Sequence, residues 1–183
     1  MANASIPDDI VQPFQLETAV ASGRLVRLGP AVRKILSAHD YPNPVAGILA
    51  ETASLAALVA GILKFDGVFS LQVKGDGPIG IVVTDLTSEG ALRGYAQFRA
   101  DDVAALGDSW RDAPVPHLLG GGYLSFTVDQ GKETDRYQGI VELTGASLSD
   151  CAHTYFRQSG QFEGVVKLTA GKDAMGSWRS GGL

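Results

Sequence analysis

The sequence predicts an α+β fold in which largely antiparallel sheets enclose one central buried helix, at about residues 44–65, within a single domain. The chain has 183 residues, which is the length of one domain. The central segment is apolar on two opposite faces of a helix, and such a helix must be covered on both sides. Before and after it, apolar and polar residues alternate with a period of two, which is typical of strands.

Before the central helix, the sequence predicts two strands and a short helix. Alternation over Phe14–Val20 indicates a half-buried strand, and Arg24–Leu28 forms a second short run after a break at glycine. Pro30 suits the first turn of a helix. Its apolar face would carry Val32, Ile35 and Leu36, with His39 below them. The two prolines of Asp40–Pro44 end this helix.

The central segment runs from Pro44 to Phe65 without an internal proline. One stripe of its helical wheel is Ala46, Ala50, Ala53, Ala57 and Ala60, and the opposite stripe is Ile48, Thr52, Leu55, Val59 and Ile62. A membrane span is the alternative interpretation, since about 20 apolar residues cross a bilayer. Glu51 near the middle of the segment disfavours that alternative, because a carboxylate in lipid is costly. We therefore predict a buried helix of a soluble protein.

The rest of the chain predicts strands and two more helices. The strands are Val68–Lys74, Ile79–Thr84, Ala91–Phe98, Leu124–Val128, Tyr137–Thr144 and Phe162–Thr169, with Gln130–Arg136 as a hairpin connection. Asp101–Trp110 is a short helix capped by Asp101, and Arg111–His117 is a loop. Ser147–Gln158 is a helix whose Ser147 and Asp150 form a capping box. The buried side of that last helix would be Leu148, Cys151, Ala152 and Tyr155, and Ala170–Leu183 would be a tail.

Composition narrows the classes of function. Apolar residues make up 45% and charged residues 19% of the chain, which excludes wholesale disorder. Fifteen basic against 20 acidic side chains give a net charge of −5, which disfavours nucleic acid as a partner. A single cysteine excludes an internal disulfide framework. The N-terminus lacks the basic and apolar regions of a secretory signal, so we expect a cytoplasmic protein.

Two motifs leave an enzyme as an alternative. Gly75–Gly80 matches G-x-G-x-x-G, but a β-branched run follows where a nucleotide site needs the start of a helix. We therefore predict a hairpin turn there. Gly107–Arg111 is one glycine short of the G-x-S-x-G elbow around Ser109, with His117 downstream. A small-molecule hydrolase or a nucleotide-dependent enzyme, at the Ser109 or the Gly75 region, is thus the runner-up function.

The sequence predicts no catalytic, cofactor-binding or metal-binding residue. Cys151 and His153 lie two positions apart on a predicted helix, so they point about 200° from each other and cannot share an ion. Cys151 is instead interpreted as a small buried apolar residue. His39 and His117 are isolated in sequence. Metal binding by this chain is therefore not expected.

Glu51 is interpreted as a structural residue. A carboxylate within an apolar helix usually has a charged partner, because a buried charge is costly when it is unpaired. Arg24, Arg27 and Arg93 are the candidate partners, and the sequence does not choose among them. The hypothesis is a buried ion pair, although a catalytic carboxyl with a raised pKa is the alternative.

Eight groups of residues occur in the order seen in one known family and cover nearly the whole chain. They are Ser22–Leu28, His39–Pro42 with Pro44–Val45, Leu63–Gly67, Leu71–Gln72 with Gly75–Pro78, Leu92–Ala96, Tyr137–Val141, Tyr155–Phe156 with Gln158–Ser159, and Trp178–Arg179 with Gly181–Gly182. Through these residues the sequence resembles the heat shock protein 33 family, the redox-regulated holdase chaperones of bacteria.

The resemblance implies a function that composition alone does not. Members of the family bind unfolded polypeptides without ATP, prevent their aggregation, and dimerise when active. Their sensor is a separate C-terminal module in which four cysteines bind zinc. Residues 1–183 contain none of those cysteines, so the chain is interpreted as the N-terminal chaperone core, without the zinc and redox-switch module. Zinc is accordingly expected outside this chain, and no cofactor within it.

The leading hypothesis is a non-enzymatic chaperone core of the stress response that captures unfolded segments on an exposed apolar strand face. The predicted strand Tyr137–Thr144 places Tyr137, Gly139, Val141 and Leu143 on one face, and Ile140 on the other. Which face is covered stays open, and so do the client-binding residues. The expected partners are unfolded polypeptides and a second copy of the chain, with neither nucleic acid nor a membrane. A self-associating scaffold is a further alternative.

Overall fold

The computed structural model describes residues 7–18, 21–111, 113–130, 137–158 and 164–183. The strands are β1 (Ile10–Leu16), β2 (Ala21–Leu28), β3 (Val68–Gly75), β4 (Ile79–Thr87), β5 (Leu92–Phe98), β6 (Gly122–Asp129), β7 (Tyr137–Glu142), β8 (Leu168–Lys172) and β9 (Trp178–Gly182). The helices are α1 (Pro30–Leu36), α2 (Asn43–Ala60), α3 (Ala100–Ala105), α4 (Val115–Leu119) and α5 (Leu148–Gln158), with a 3₁₀ helix at Gly107–Arg111.

Two antiparallel sheets pack on opposite sides of α2. The larger sheet has the order β5-β4-β3-β6-β7, and the smaller has the order β1-β2-β9-β8. The helix contacts β3, β4 and β5 of the larger sheet, and β2, β8 and β9 of the smaller. The predicted α+β class, with antiparallel sheets enclosing a central helix, is confirmed.

The two opposite stripes of α2 are buried, as the wheel predicted, because each faces a sheet. Leu49 and Leu55 are fully enclosed, and the alanines let the sheets approach closely. By length and composition the helix could cross a bilayer, but 89% of its most apolar window lies inside the protein. The helix therefore serves as the core of the fold.

The predicted end of the central helix is wrong. The helix stops at Ala60 and is followed by Gly61, whose carbonyl accepts a hydrogen bond from Arg24 Nε at 3.1 Å. A cation at the C-terminal end of a helix is favoured by the helix dipole, so Arg24 stabilises this end. Beyond it, Ile62 is 48% exposed and does not belong to the buried stripe that its spacing predicted.

The strands of the larger sheet confirm the alternation in the sequence. The β3–β4 ladder runs from Val68–Thr87 to Lys74–Ile81, and β6 pairs with β3 along its whole length. Inward-facing Phe69, Leu71 and Val73 are buried against the core. Of the predicted connection Gln130–Arg136, residues 131–136 lie outside the described residues.

Prediction fails most in the smaller sheet. The first strand begins at Ile10 and ends at Leu16, and it is a mostly exposed edge rather than a half-buried strand. The predicted break at glycine lies inside β2, where the Phe14 ring occupies the space beside Gly23. The predicted tail Ala170–Leu183 contains most of β8 and all of β9. Of the predicted strand Phe162–Thr169, residues 162 and 163 lie outside the described part, and β8 begins at Leu168.

The short helices begin at other residues, or are capped by other residues, than the sequence predicted. Helix α3 starts one residue earlier than predicted, and Asp101 does not cap it, since its N-cap position is Arg99. The predicted loop Arg111–His117 contains the start of α4, with Pro114 before its first residue. Helix α1 receives its capping bonds from Asp9, whose carboxylate accepts from the backbone nitrogens of Gly29 and Ala31. Since Asp9 is about 20 residues away in sequence, local patterns could not reveal that cap.

Candidate functional site

The structure shows which of the two faces of β7 is covered. Val141 and Leu143 are buried, and the Tyr155 ring of α5 occupies the space beside Gly139, so this face lies against α5. Ile140 points to the opposite side and is 57% exposed. Tyr137, at the end of the covered face, is itself exposed. The accessible apolar face of this sheet is therefore its outer face.

The position of α5 depends on the predicted capping box, which the structure confirms. The Asp150 nitrogen donates to Ser147 Oγ at 3.2 Å, and the Ser147 nitrogen donates to Asp150 Oδ2 at 2.9 Å. Hydrogen bonding from the Ser147 side chain holds the pKa of the Asp150 carboxyl below its ordinary value. With its start fixed, the helix directs Tyr155 onto Phe126, with ring centroids 4.4 Å apart.

Tyr155 closes the inner face of the sheet near β6 and β7. Its hydroxyl shares a 2.9 Å hydrogen bond with the Tyr137 hydroxyl. Burial raises the pKa of the Tyr155 phenol, and the neighbouring Tyr137 raises it further. The phenol thus stays neutral and serves in packing and hydrogen bonding. This face of the sheet belongs to the core.

One row of uncharged side chains crosses the outer face of all five strands of the larger sheet. The strand registers align these residues side by side: Tyr95, Val83, Gln72, Ser125 and Ile140. We call this set the neutral row. Tyr95 is 48% exposed at one end of the row and Ile140 is exposed at the other. Val83 and Gln72 between them are partly exposed, whereas Ser125 is buried.

Charged and polar side chains flank the neutral row. On one side Arg93 Nε donates to Asp85 Oδ2 at 2.8 Å, and the Ser70 hydroxyl donates to the other oxygen of that carboxylate. On the other side, Lys74 and Glu142 are exposed, while Ile81 is partly exposed. The outer face therefore presents a narrow uncharged band between polar borders. Such a surface can contact apolar side chains while it stays hydrated at its edges.

An aromatic cluster marks the Tyr95 end of the row. The ring of His39 lies 5.6 Å from that of Tyr95 and 5.4 Å from that of Tyr41. The Tyr41 hydroxyl accepts a hydrogen bond from the Ala96 nitrogen at 3.1 Å. His39, which the sequence left isolated, therefore contacts one end of the neutral row. This contact could not be predicted from the sequence, because β5 begins more than 50 residues after His39.

The glycine motif forms a hairpin turn, as predicted. Gly75 ends β3 and Ile79 begins β4, so no helix starts there. A side chain at Gly75 or Gly77 would collide with the backbone of Leu119 and Gly120. These glycines are therefore explained by the close approach of two chain segments. In the other motif, Ser109 lies in the 3₁₀ helix, and its side chain is outside what the structure describes.

Cys151 and His153 make separate contacts. Cys151 is buried, and its thiol contacts the Thr144 carbonyl at 3.3 Å. Burial raises the pKa of this thiol, which keeps it protonated. His153 Nε2 accepts a hydrogen bond from the Val166 nitrogen. Within the described residues, no group of three or more histidine, cysteine or acidic side chains is placed to hold a metal.

Within the described residues, Glu51 forms no ion pair with any of the three arginines that the sequence offered, so that hypothesis is wrong for these candidates. Arg24 bonds backbone carbonyls, Arg27 contacts Asp8, and Arg93 contacts Asp85, so none of the candidate arginines reaches Glu51. Burial alone raises the pKa of the Glu51 carboxyl. Arg24 donates to the Gly61 carbonyl, 37 residues away, and Arg27 contacts Asp8, 19 residues away. Sequence spacing could not show that.

Known proteins support the fold and the family. The family model described as Hsp33 protein matches residues 9–183. A 33 kDa chaperonin of Caulobacter vibrioides (strain NA1000 / CB15N) is 44% identical over 184 residues, which is 99% of this chain and 61% of the relative. A 33 kDa chaperonin of Pseudomonas fluorescens (strain SBW25) is 40% identical over 173 residues, covering 93% of this chain and 55% of the relative.

A solved structure shows the same fold. The 33 kDa chaperonin, or heat shock protein 33 homolog, of Thermotoga maritima superposes with a TM-score of 0.73 at 21% sequence identity. The match covers 94% of this chain and 59% of that one. The chain spans between half and about three fifths of the length of the curated relatives it matches. On the match across residues 9–183, the chain belongs to the Hsp33 family.

Proposed function

We propose that this chain is an ATP-independent chaperone core that holds unfolded polypeptides on the outer face of its larger sheet. The observation that carries the proposal is the neutral row, an uncharged band exposed at Tyr95 and Ile140. Membership of a family whose curated relatives are named chaperonins supports it, and favours a role other than catalysis. The clients would be polypeptides with exposed apolar side chains in the cytoplasm.

Burial of apolar area on the neutral row supplies the binding free energy. Each square ångström of apolar surface removed from water contributes about 25 cal/mol. Several weak contacts of this kind tolerate many client sequences, since they require no particular hydrogen-bond pattern. The charged borders, including Arg93 with Asp85, keep the face soluble when no client is bound.

We also propose that residues 1–183 correspond to the N-terminal core of the longer relatives, and that capture by this chain does not depend on redox state. The chain holds one cysteine, and Cys151 is buried with a raised thiol pKa, so it is a poor thiol switch. The zinc-binding cysteine module would belong to the part of the relatives that this chain does not span.

Light scattering from a thermally unfolding enzyme tests the proposal. The wild-type chain should suppress aggregation equally with and without reductant. Ile140→Glu should weaken suppression several-fold, because it places a charge in the neutral row. Met175→Glu is the matched control: Met175 is 91% exposed in the turn between β8 and β9, so its replacement should change nothing.

Two results would contradict the proposal. The absence of suppression in either redox condition would show that these residues do not capture clients by themselves. An equal loss of suppression in Ile140→Glu and Met175→Glu would place the binding surface elsewhere. Suppression that requires an oxidant would contradict the redox-independent part alone.

A further inference from the structure

The neutral row is apolar at its two ends and polar in its middle. Tyr95 and Val83 lie side by side on β5 and β4, and Ile140 lies at the other end on β7. Gln72 of β3 and Ser125 of β6 stand between them. The row therefore offers two separate apolar contacts with a polar space between them, rather than one continuous apolar stripe.

The uncharged surface runs across the strands and not along them. Along its own strand, each apolar residue of the row has a charged residue as one neighbour on the same face, about 7 Å away. These pairs are Arg93 beside Tyr95, Asp85 beside Val83, and Glu142 beside Ile140. A polypeptide that avoids these charges must therefore cross the strands along the row.

The spacing of the two apolar ends matches an extended polypeptide. Val83 and Ile140 are three strands apart, which is about 14 Å. An extended chain rises about 3.4 Å per residue and turns every second side chain to the same side. Its residues i and i+4 are thus also about 14 Å apart and face one surface, whereas i and i+2 are about 7 Å apart. The residue at i+2 then lies over Gln72 and Ser125.

We propose that the neutral row selects extended client segments with apolar side chains at positions i and i+4 and an uncharged polar or acidic side chain at i+2. This inference rests on the proposed function and adds the substrate pattern to it. One apolar side chain covers Val83 and Tyr95, and the other covers Ile140. The middle side chain faces Gln72, whose amide both donates and accepts hydrogen bonds. The pattern is the same in both chain directions, so either orientation binds.

Lys74 sets the charge at the middle position. It follows Gln72 by two residues on β3, so both side chains are on the outer face. The Lys74 side chain is exposed, and no described residue forms an ion pair with its ammonium group. Asp85, by contrast, is occupied by Arg93 and Ser70. A carboxylate over Gln72 is therefore attracted by Lys74, whereas a cation there is repelled.

Two peptides of the same composition test the spacing. The probe is fluorescein-labelled, amidated Gly-Ser-Leu-Ser-Glu-Ser-Leu-Ser-Gly, whose leucines are four residues apart. The control is Gly-Ser-Leu-Ser-Leu-Ser-Glu-Ser-Gly with the same label and amide, whose leucines are two residues apart. Fluorescence anisotropy with the full chain should show about fivefold tighter binding of the probe, because its leucines reach both apolar ends. Equal binding of the two peptides, or no binding of either, would overturn the proposal.

Variants at exposed positions assign the contacts. Ile140→Ser should weaken binding of the probe about fivefold and leave the control peptide unchanged, since the control contacts only the Val83 end. Lys74→Glu should reverse the preference between the probe and a peptide with lysine in place of its glutamate. Met175→Glu should change neither. An equal loss of both peptides in Ile140→Ser, or an unchanged charge preference in Lys74→Glu, would contradict the assignment.

Light scattering from the unfolding enzyme, measured with the same samples, separates this inference from the proposed function. Suppression of aggregation together with equal binding of the two peptides would refute the spacing and leave the proposed function intact. The absence of suppression would refute the proposed function. If rising protein concentration alone displaces the probe while the mass of the chain doubles, a second copy covers the neutral row and the proposal is wrong.

Discussion

The two sheets that cover α2 differ in how completely they are paired. In the larger sheet, β3 pairs along its length with β4 on one side and with β6 on the other. In the smaller sheet, β9 pairs with three residues of β2, and beside them lies a cavity of about 150 Å³, lined by Arg24 of β2 and by Leu55 and Leu58 of α2, which we call the slot. The same apolar helix thus has one fully enclosed side and one partly open side. Burial of a residue in α2 does not by itself tell how rigid its surroundings are.

The comparison extends to polar contacts in the core. On the smaller-sheet side, the Ser54 hydroxyl donates to Ser180 Oγ at 2.8 Å, which joins α2 to β9. On the larger-sheet side, Thr84 Oγ1 is buried and has no hydrogen-bond partner among the residues that the structure describes. Ser180 is paired with Leu28 of β2 and with Ala170 of β8, so the Ser54–Ser180 hydrogen bond joins α2 to the fully paired part of the smaller sheet.

The largest difference should come from truncating one leucine on each side. Leu49→Ala should lower the free energy of unfolding by about 4 kcal/mol, because the enclosed side cannot collapse onto the cavity. Leu58→Ala should cost about 2 kcal/mol, since Leu58 borders the slot and its neighbours can move. Urea unfolding followed by circular dichroism measures both. Equal losses would mean that the slot does not relax the packing.

Adding a methyl group tests the same contrast in the opposite direction. A Cβ atom at Gly94 would lie 3.0 Å from Leu49, which is fully enclosed, so Gly94→Ala should cost about 1–3 kcal/mol. At Gly182 the obstructing group is the end of Leu58, which can turn into the slot. Gly182→Ala should therefore cost less than Gly94→Ala in the same unfolding experiment. The reverse order would show that Leu58 is held in place.

The core hydroxyls should respond with opposite signs. Ser54→Ala should cost about 1 kcal/mol, because it leaves the buried Ser180 hydroxyl without its partner. Thr84→Val keeps the shape of the side chain and removes an unpaired hydroxyl, so it should stabilise the fold by up to about 1 kcal/mol. Thermal unfolding of the two variants beside wild type gives the signs. A destabilised Thr84→Val variant would contradict the unpaired state of this hydroxyl.

The smallest effect should be electrostatic and should depend on pH. Arg179 in β9 contacts Asp8 at 2.6 Å and Asp173 at 2.9 Å, and its hydrogen bonds lower the pKa of both carboxyls. A carboxyl whose pKa is lower in the folded than in the unfolded state stabilises the fold at pH values above the unfolded pKa of about 3.9. That stability is lost as the pH falls through the folded pKa. The midpoint temperature of the wild-type chain should therefore decrease as the pH is lowered below about 4.

Replacing the arginine isolates this contribution. Arg179→Gln should lower the midpoint temperature at pH 7 and make its decline in acid shallower, because the two carboxyl pKa values return toward their ordinary range. Arg93→Gln, which removes an exposed ion pair from the outer face of the larger sheet, should change the midpoint little. Identical acid profiles for wild type and Arg179→Gln would contradict the role of the Arg179 cluster.

Sequence patterns predicted the larger sheet well and the smaller sheet poorly. Strands such as β3 and β6 alternate apolar and polar residues because one face is buried and the other is hydrated. β8 and β9 are rich in glycine and small residues, so their alternation is weak and they read as a tail. β1 is an edge strand with most of its residues exposed, and therefore its apolar alternation predicted strand bounds that lie too far toward the C-terminus.

The candidate site was predictable only in part. The sequence showed that the strand from Tyr137 carries apolar residues on both faces, but the choice between them depended on α5, whose Tyr155 covers Gly139. The neutral row unites residues from five strands, and no local pattern registers Tyr95 with Ile140. The contact of His39 with Tyr95 has the same origin.

The sequence by itself determined the fold class, the central helix and the family, because periodicity and ordered local motifs are encoded in neighbouring residues. Tertiary structure alone decided the surroundings of Glu51, the partner of Arg24 and the covered face of β7. These features depend on which distant segments meet. Such meetings are set by strand order and register, to which a single sequence gives little direct access.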